Sequence, residues 1–224
     1  METRHSVLET CSVAAILFDF GGVIAEEGFR EGLTAIAREH ALEPGAFVRV
    51  GFELVYEVGY VLGRSDENTF WEAVRDKTGI RAADETLREN ILSHFTLRPW
   101  MLEILPRLRE AGVRLALLSD QTNWLDELDE DLHFFRCFDH VFNSYHLGKS
   151  KKDPSLFDGV LKVMDLQAGQ ALFVDDHGPH IERARQMGLH TILYQDESSF
   201  MRALAVFCPF LQALDAHTYH ERSE

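Results

Sequence analysis

The stretch Ile16-Leu17-Phe18-Asp19-Phe20-Gly21-Gly22-Val23-Ile24 runs an apolar segment into a single carboxylate, with two glycines close behind. It reads as a buried strand that delivers Asp19 to a sharp turn, a geometry suited to a nucleophile or a metal ligand. Taken alone, it also fits a strand that merely stops at a turn-capping aspartate. Residues 13–19 do not alternate apolar with polar, so this strand is expected to be covered on both faces.

Outward from it the texture changes twice. From about Glu26 to Leu97 apolar residues recur at helical spacing, as at Phe29, Leu33, Ile36 and Ala37. Pro44 suits the first turn of a second helix, Ser65 or Asp66 caps a third, and Asp84 caps a fourth. No strand is evident in this block. After Pro99, helices and short apolar strands alternate. Strands are expected at 113–118, 140–143, 171–174 and 190–194, and helices at 100–111, 123–132, 154–164, 180–187 and 198–211. The tail from His217 to Glu224 reads as frayed. Such alternation implies right-handed crossovers and a parallel sheet with helices on both faces. The expected fold class is therefore α/β.

Composition narrows the function. The net charge of −15 argues against nucleic acid and against an anionic membrane surface as partners. It also obliges any phosphate pocket to gather its own cations. Lysine is scarce, yet Lys149, Lys151 and Lys152 fall within four residues. Cys11, Cys137 and Cys208 are far apart and odd in number. They read as buried or idle thiols of a reducing compartment, not as a disulfide framework. The first ten residues lack the apolar centre of a secretory signal. No apolar run approaches the roughly 18 residues of a membrane span. The expectation is a soluble cytoplasmic protein, monomer or homodimer.

In a parallel sheet the site lies beyond the carboxyl ends of the strands. Three strands here end in reactive side chains: Asp19, Ser119, and the pair Asp175 and Asp176. Each has a plain structural alternative as a cap, and the acidic run 126–131 reads as a solvated helix face. Together with the lysine cluster they make a coherent set. A carboxylate can be the nucleophile, a hydroxyl can anchor an anion, an ammonium can neutralise phosphate, and two hard carboxylates suit Mg²⁺.

This order of motifs resembles the haloacid dehalogenase superfamily, from about Val13 to Tyr194. Leu97-Arg98-Pro99, Leu117-Leu118-Ser119-Asp120-Gln121-Thr122-Asn123, the Gly148-to-Phe157 stretch and Phe173-Val174-Asp175-Asp176 look like the branch holding sugar-1-phosphate phosphatases and the phosphatase domain of soluble epoxide hydrolases. The resemblance implies a Rossmann-like core over 13–24 and 98–216 and a small helical cap inserted at 25–97. It implies that Asp19 takes the phosphoryl group of a small phosphorylated substrate. Ser119, Asp120 and Lys151 would lie at the phosphate, with Lys151 favoured over Lys152 by its spacing to Ser155 and Phe157. Asp19, the Gly21 carbonyl, Asp175 and Asp176 would surround Mg²⁺. Phe52, Tyr56, Tyr60 and Trp71 are candidate cap residues lining the substrate space, or else cap core.

The sequence departs from that pattern at several positions, among them Lys152, which stands where the family often has proline. Most phosphatases of the superfamily carry a second aspartate two residues after the nucleophile, where Gly21 stands. General acid–base help is typically worth about 10²–10⁴-fold, so another group, His177 or Asp120, or an unusually good leaving group, would have to compensate. Asp120 replaces a common asparagine and would repel phosphate unless protonated or turned away. His177 and His180 replace further asparagines. Two other functions fit part of the pattern: a metal-free 2-haloacid dehalogenase using Asp19, and a weakened member acting as a binding module.

Overall fold

The computed structural model describes residues 10–211. The readings made for the first nine residues, for the tail beyond 211 and for the end of the core at 216 lie outside that range.

Five parallel strands form one sheet: β1 (Ala15–Phe18), β2 (Arg114–Ser119), β3 (His140–Asn143), β4 (Ala171–Asp175) and β5 (His190–Leu193), in the order β3-β2-β1-β4-β5. The chain leaves β1 in one direction, through β2 to β3, and returns on the other side for β4 and β5. The switch point therefore lies beside β1, where α/β sheets open a crevice. Phe18 pairs with both Leu117 and Val174, so Asp19 and Asp175 leave the sheet side by side.

Alternate residues of β1 serve two cores. Ala15 and Leu17 pack with Phe157, Val160 and Ile181 on one face. Ile16 and Phe18 join a larger cluster on the other. All four are fully buried, which is why the run shows no polar alternation. A short helix, α7 (Ser144–Leu147), follows β3, and the first face is covered by α8 (Ser155–Val163) and α9 (Gly178–Gln186). The other is covered by α5 (Pro99–Glu110), α6 (Trp124–Leu132) and α10 (Glu197–Phe207).

Between β1 and α5 stand four helices: α1 (Gly28–Glu39), α2 (Pro44–Glu57), α3 (Glu67–Thr78) and α4 (Asp84–Leu92). Asp66 caps α3 by accepting from the Thr69 N–H. Asp84 does not cap α4: Ala83 holds the cap position, and Asp84 instead pairs with Arg75 of α3. The block joins the core through an aromatic cluster, in which Trp124 of α6 sits among Phe29, Tyr60, Phe70 and Trp71. Helix α6, read from its acidic run as solvated, is amphipathic and buries Trp124, Leu125 and Leu128.

The cysteine reading requires correction. Cys11 and Cys208 form a disulfide, and only Cys137 is free. The segment before β1 runs against the end of α10, where Ser12 N–H donates to the Phe207 carbonyl at 2.7 Å. This proximity joins residues 197 apart in sequence, so spacing could not reveal it. The bond removes the thiol argument for a reducing compartment, because disulfides persist where conditions are oxidising. Among the described residues no helix is long and apolar enough to cross a membrane.

Thiol titration in denaturant should find one free thiol in the oxidised protein and three after reduction. Reduction should cost about 2–4 kcal/mol of stability, read as a lowered urea midpoint. Three thiols without reductant would contradict the bond.

Candidate active site

Asp19 follows β1 directly, and its backbone N–H continues the ladder to the Val174 carbonyl at 2.9 Å. One carboxylate oxygen, Oδ1, accepts from the Phe20 N–H at 2.7 Å, which fixes the rotamer. The other, Oδ2, meets Lys151 Nζ at 2.6 Å. The same ammonium reaches Asp175 Oδ2 at 2.7 Å. Lys151 is 1% exposed, whereas Lys152 lies across the Tyr56 ring. The structure thus brings Lys151, and not its neighbour, to Asp19.

Asp175 is fully buried. Its Oδ1 accepts from the His177 N–H at 2.7 Å, and His180 Nδ1 stands 3.3 Å from its Oδ2. Burial alone would raise this carboxyl, but Lys151 and His180 outweigh burial and hold it well below the usual carboxylate range. Asp19 is raised well above its ordinary value by burial, against the opposing pull of Lys151. One ammonium serves two buried acids and cannot fully compensate both. Burial works against the Lys151 ammonium, yet Asp175 and Asp19 raise it above its ordinary value and keep it charged.

Asp176 stands at the rim. One of its oxygens, one of Asp19 and one of Asp175 lie within 4.8 Å of one another. Burial and the adjacent Asp175 charge raise its carboxyl. Three carboxylates against one ammonium leave two negative charges over. Hard oxygen donors with that surplus fit Mg²⁺, which prefers carboxylates and retained waters. The backbone opposite is shaped to fit: Gly22 has φ +81°, and a Cβ there would overlap the Asp176 carboxylate. Arg98 holds this loop by donating to the carbonyls of Gly22 and Val23 at 2.5 and 2.9 Å while pairing with Glu26.

These groups open onto a cavity of about 420 Å³ between the sheet edge and the helical block. Ser119, at the end of β2, lines it. Asp120 also lines it, with both oxygens engaged: Tyr56 Oη donates to one at 2.9 Å and the Lys151 N–H to the other at 2.8 Å. Of the four aromatic candidates, Phe52 and Tyr56 face the cavity. Tyr60 and Trp71 are fully buried; Tyr60 Oη donates to Asn123 at 2.6 Å and Trp71 Nε1 to Glu67 at 3.2 Å. His177 lines the cavity, and burial lowers its imidazole below the ordinary value.

Glu27 and Arg30 are among the cavity residues that sequence reasoning missed. Arg30 lies over the Phe52 ring at 4.9 Å. Glu27 caps α1 through Oε2, which accepts from the Arg30 N–H at 3.0 Å. Burial pushes the Glu27 carboxyl up to about 7. Its only sequence signal was an acid before a helix, which reads as an ordinary cap.

A family model for haloacid dehalogenase-like hydrolases matches residues 13–188. The chain belongs to this family. Among curated relatives, bifunctional epoxide hydrolase 2 of Sus scrofa is 26% identical over 86% of the chain, a match spanning 38% of that protein's length. D-ribitol-5-phosphate phosphatase of Bacteroides thetaiotaomicron is 24% identical over 85% of the chain and 96% of the relative. Among solved structures, a HAD-family enzyme of Bacteroides thetaiotaomicron in complex with magnesium and inorganic phosphate aligns with TM-score 0.65 at 20% identity, over 84% of this chain and 98% of that one. L-2-haloacid dehalogenase of Xanthobacter autotrophicus, with chloropropionic acid covalently bound, aligns with TM-score 0.62 at 17% identity, over 89% and 86%. The fold is common to both chemistries.

Replacing Lys151 with Met should strip two buried carboxylates of their cation and cost about 3–5 kcal/mol at pH 7. Burial acts most strongly on both acids and raises each, so without the ammonium both folded-state values should lie above the unfolded ones. The penalty is therefore present above the unfolded value near 4 and fades as pH falls toward it. Urea unfolding of both proteins at neutral pH and near pH 4.5 checks this. A pH-independent difference would contradict it.

Proposed function

We propose that this chain is a Mg²⁺-dependent phosphatase of a small phosphorylated metabolite, with Asp19 as the nucleophile. The observation that carries the reading is the charge arrangement: one ammonium between Asp19 and Asp175, with Asp176 adding a third carboxylate.

Mg²⁺, held by Asp19, Asp176, the Gly21 carbonyl and, directly or through water, Asp175, would supply positive charge to the phosphoryl oxygens. The chain's own residues do the rest. The Phe20 N–H fixes Asp19 Oδ1, so the carboxylate is aimed before substrate arrives. Lys151 neutralises the nucleophile and the incoming phosphate, two anions that would otherwise repel. Ser119 donates its hydroxyl to a phosphoryl oxygen. Asp19 attacks phosphorus; the P–O bond to the leaving group breaks as the bond to Asp19 forms. Water then attacks phosphorus, releasing phosphate and restoring the carboxylate.

Asp120 serves this site as a brace. Its two accepted hydrogen bonds tie Tyr56 of α2 to the Lys151 backbone and orient its charge toward donors. The helical block over 25–97 acts as the cap, with Phe52, Tyr56 and Arg30 facing the leaving group. A cavity of about 420 Å³ suits a small molecule. Metal-free attack on carbon, as a dehalogenase would need, gives Asp176 no task.

Phosphate release from p-nitrophenyl phosphate and a panel of sugar and polyol phosphates tests the reading. Release should require Mg²⁺, stop with chelator, and vanish in Asp19→Asn. Chelator-insensitive chloride release from 2-chloropropionate would support the dehalogenase instead. Neither activity would leave the binding module.

A further inference from the structure

The proposed reaction expels an alkoxide and later deprotonates water, so it needs a group that gives and takes a proton beside the leaving oxygen. Residue 21 offers none, because glycine has no side chain. Of the other cavity groups, His177 is the rival candidate, and Asp120, Tyr56, Lys151 and His180 are committed. Both Asp120 oxygens accept from protein donors, and the Tyr56 hydroxyl proton is held by Asp120. Lys151 is shared by two carboxylates, and His180 stands against Asp175.

Glu27 is differently placed. It precedes α1, on the linker that leaves the sheet edge for the helical block. The hydrogen bond and ion pair found among the described residues both use Oε2, to the Arg30 N–H at 3.0 Å and to Arg30 Nε at 3.5 Å. Oε1 points the other way. A Cβ built on Gly21 would lie 3.6 Å from it. The Glu27 carboxyl therefore borders, at ordinary contact distance, the space into which a side chain at residue 21 would project, and it lines the cavity with a side chain 30% exposed.

We infer that Glu27 is the general acid and base of this site, its Oε1 taking the place of the side chain that Gly21 lacks. This rests on the phosphatase reading above. In the first step the P–O bond to the leaving group breaks, the bond from Asp19 Oδ to phosphorus forms, and the Glu27 proton passes to the leaving oxygen. In the second, water bonds to phosphorus and gives its proton to Glu27. The Asp19–phosphorus bond breaks, and phosphate departs. Glu27 ends protonated, ready for the next turnover. Oε2 stays on the α1 N-terminus throughout, so one side chain aims itself with one oxygen and reacts with the other.

Glu27→Gln keeps an oxygen for the helix cap and removes the transferable proton. Its effect should depend on the leaving group. Benzyl phosphate, whose alcohol needs protonation, should lose about 10²–10⁴-fold in kcat. With p-nitrophenyl phosphate the first step needs no acid but the second still needs the base. The variant should release a burst of about one equivalent of nitrophenolate and then slow, as a phosphoenzyme accumulates. Gly21→Asp in the Glu27→Gln background should restore benzyl phosphate turnover and abolish the burst, since Gly21 has an ordinary φ and room for a Cβ. Wild-type rates in Glu27→Gln would overturn the inference. So would equal losses on both substrates without burst or rescue, which would make Glu27 a helix cap only. The same burst in His177→Ala with none in Glu27→Gln would transfer the role to His177. No phosphate release from either substrate by the unaltered protein would instead defeat the phosphatase reading itself, and this inference with it.

Discussion

One ammonium between two buried carboxylates organises this molecule. Lys151 lies 2.6 Å from Asp19 and 2.7 Å from Asp175, at the point where the chain reverses its course through the sheet. Burying any one of these charges alone would be costly, and each is tolerable because of the others. The arrangement demands that β1 and β4 be neighbours and that the loop carrying Lys151 fold back over their ends. It also leaves the site short of positive charge once Asp176 is counted, and that shortage favours a divalent cation and a phosphoryl group together.

The second constraint is the junction between core and helical block. The linkers near residues 20–27 and 95–98 run together, with Ala25 bridging to Leu97 and Arg98 clamping the carbonyls after Asp19. Gly28 allows this closeness, since a Cβ there would collide with Phe95. The turn after Asp19 and the entry to α1 are thereby one feature. Glu27 stands on it, close to Gly21, as a consequence of how the helical block is attached.

The parts of the site carried on strand ends were legible in the sequence. Asp19, Ser119 and Asp175 each close an apolar run, and strands covered on both faces have few other readings. Lys151 was marked by its motif spacing, and it is the lysine that meets Asp19, while Lys152 lies over Tyr56. What was hidden depends on packing between distant segments. Tyr60 and Trp71 looked like Phe52 and Tyr56 in pattern, but the intrusion of Trp124 makes the first two core. Asp120 looked like a repulsive charge at the phosphate; its partners Tyr56 and the Lys151 N–H come from residues 64 and 31 positions away. Cys11 and Cys208 gave no local sign of bonding, and Glu27 gave only the sign of a helix cap.

The most direct test of the central claim is to quench the protein during turnover of p-nitrophenyl phosphate with Mg²⁺, under acid that preserves acyl phosphates, and to locate the phosphoryl group by peptide mass mapping. The account predicts an acid-stable, base-labile phosphoryl group on the peptide holding Asp19, formed only with Mg²⁺ present. Turnover with the label on another residue, or with no phosphoenzyme even in the slowed Glu27→Gln protein, would contradict it.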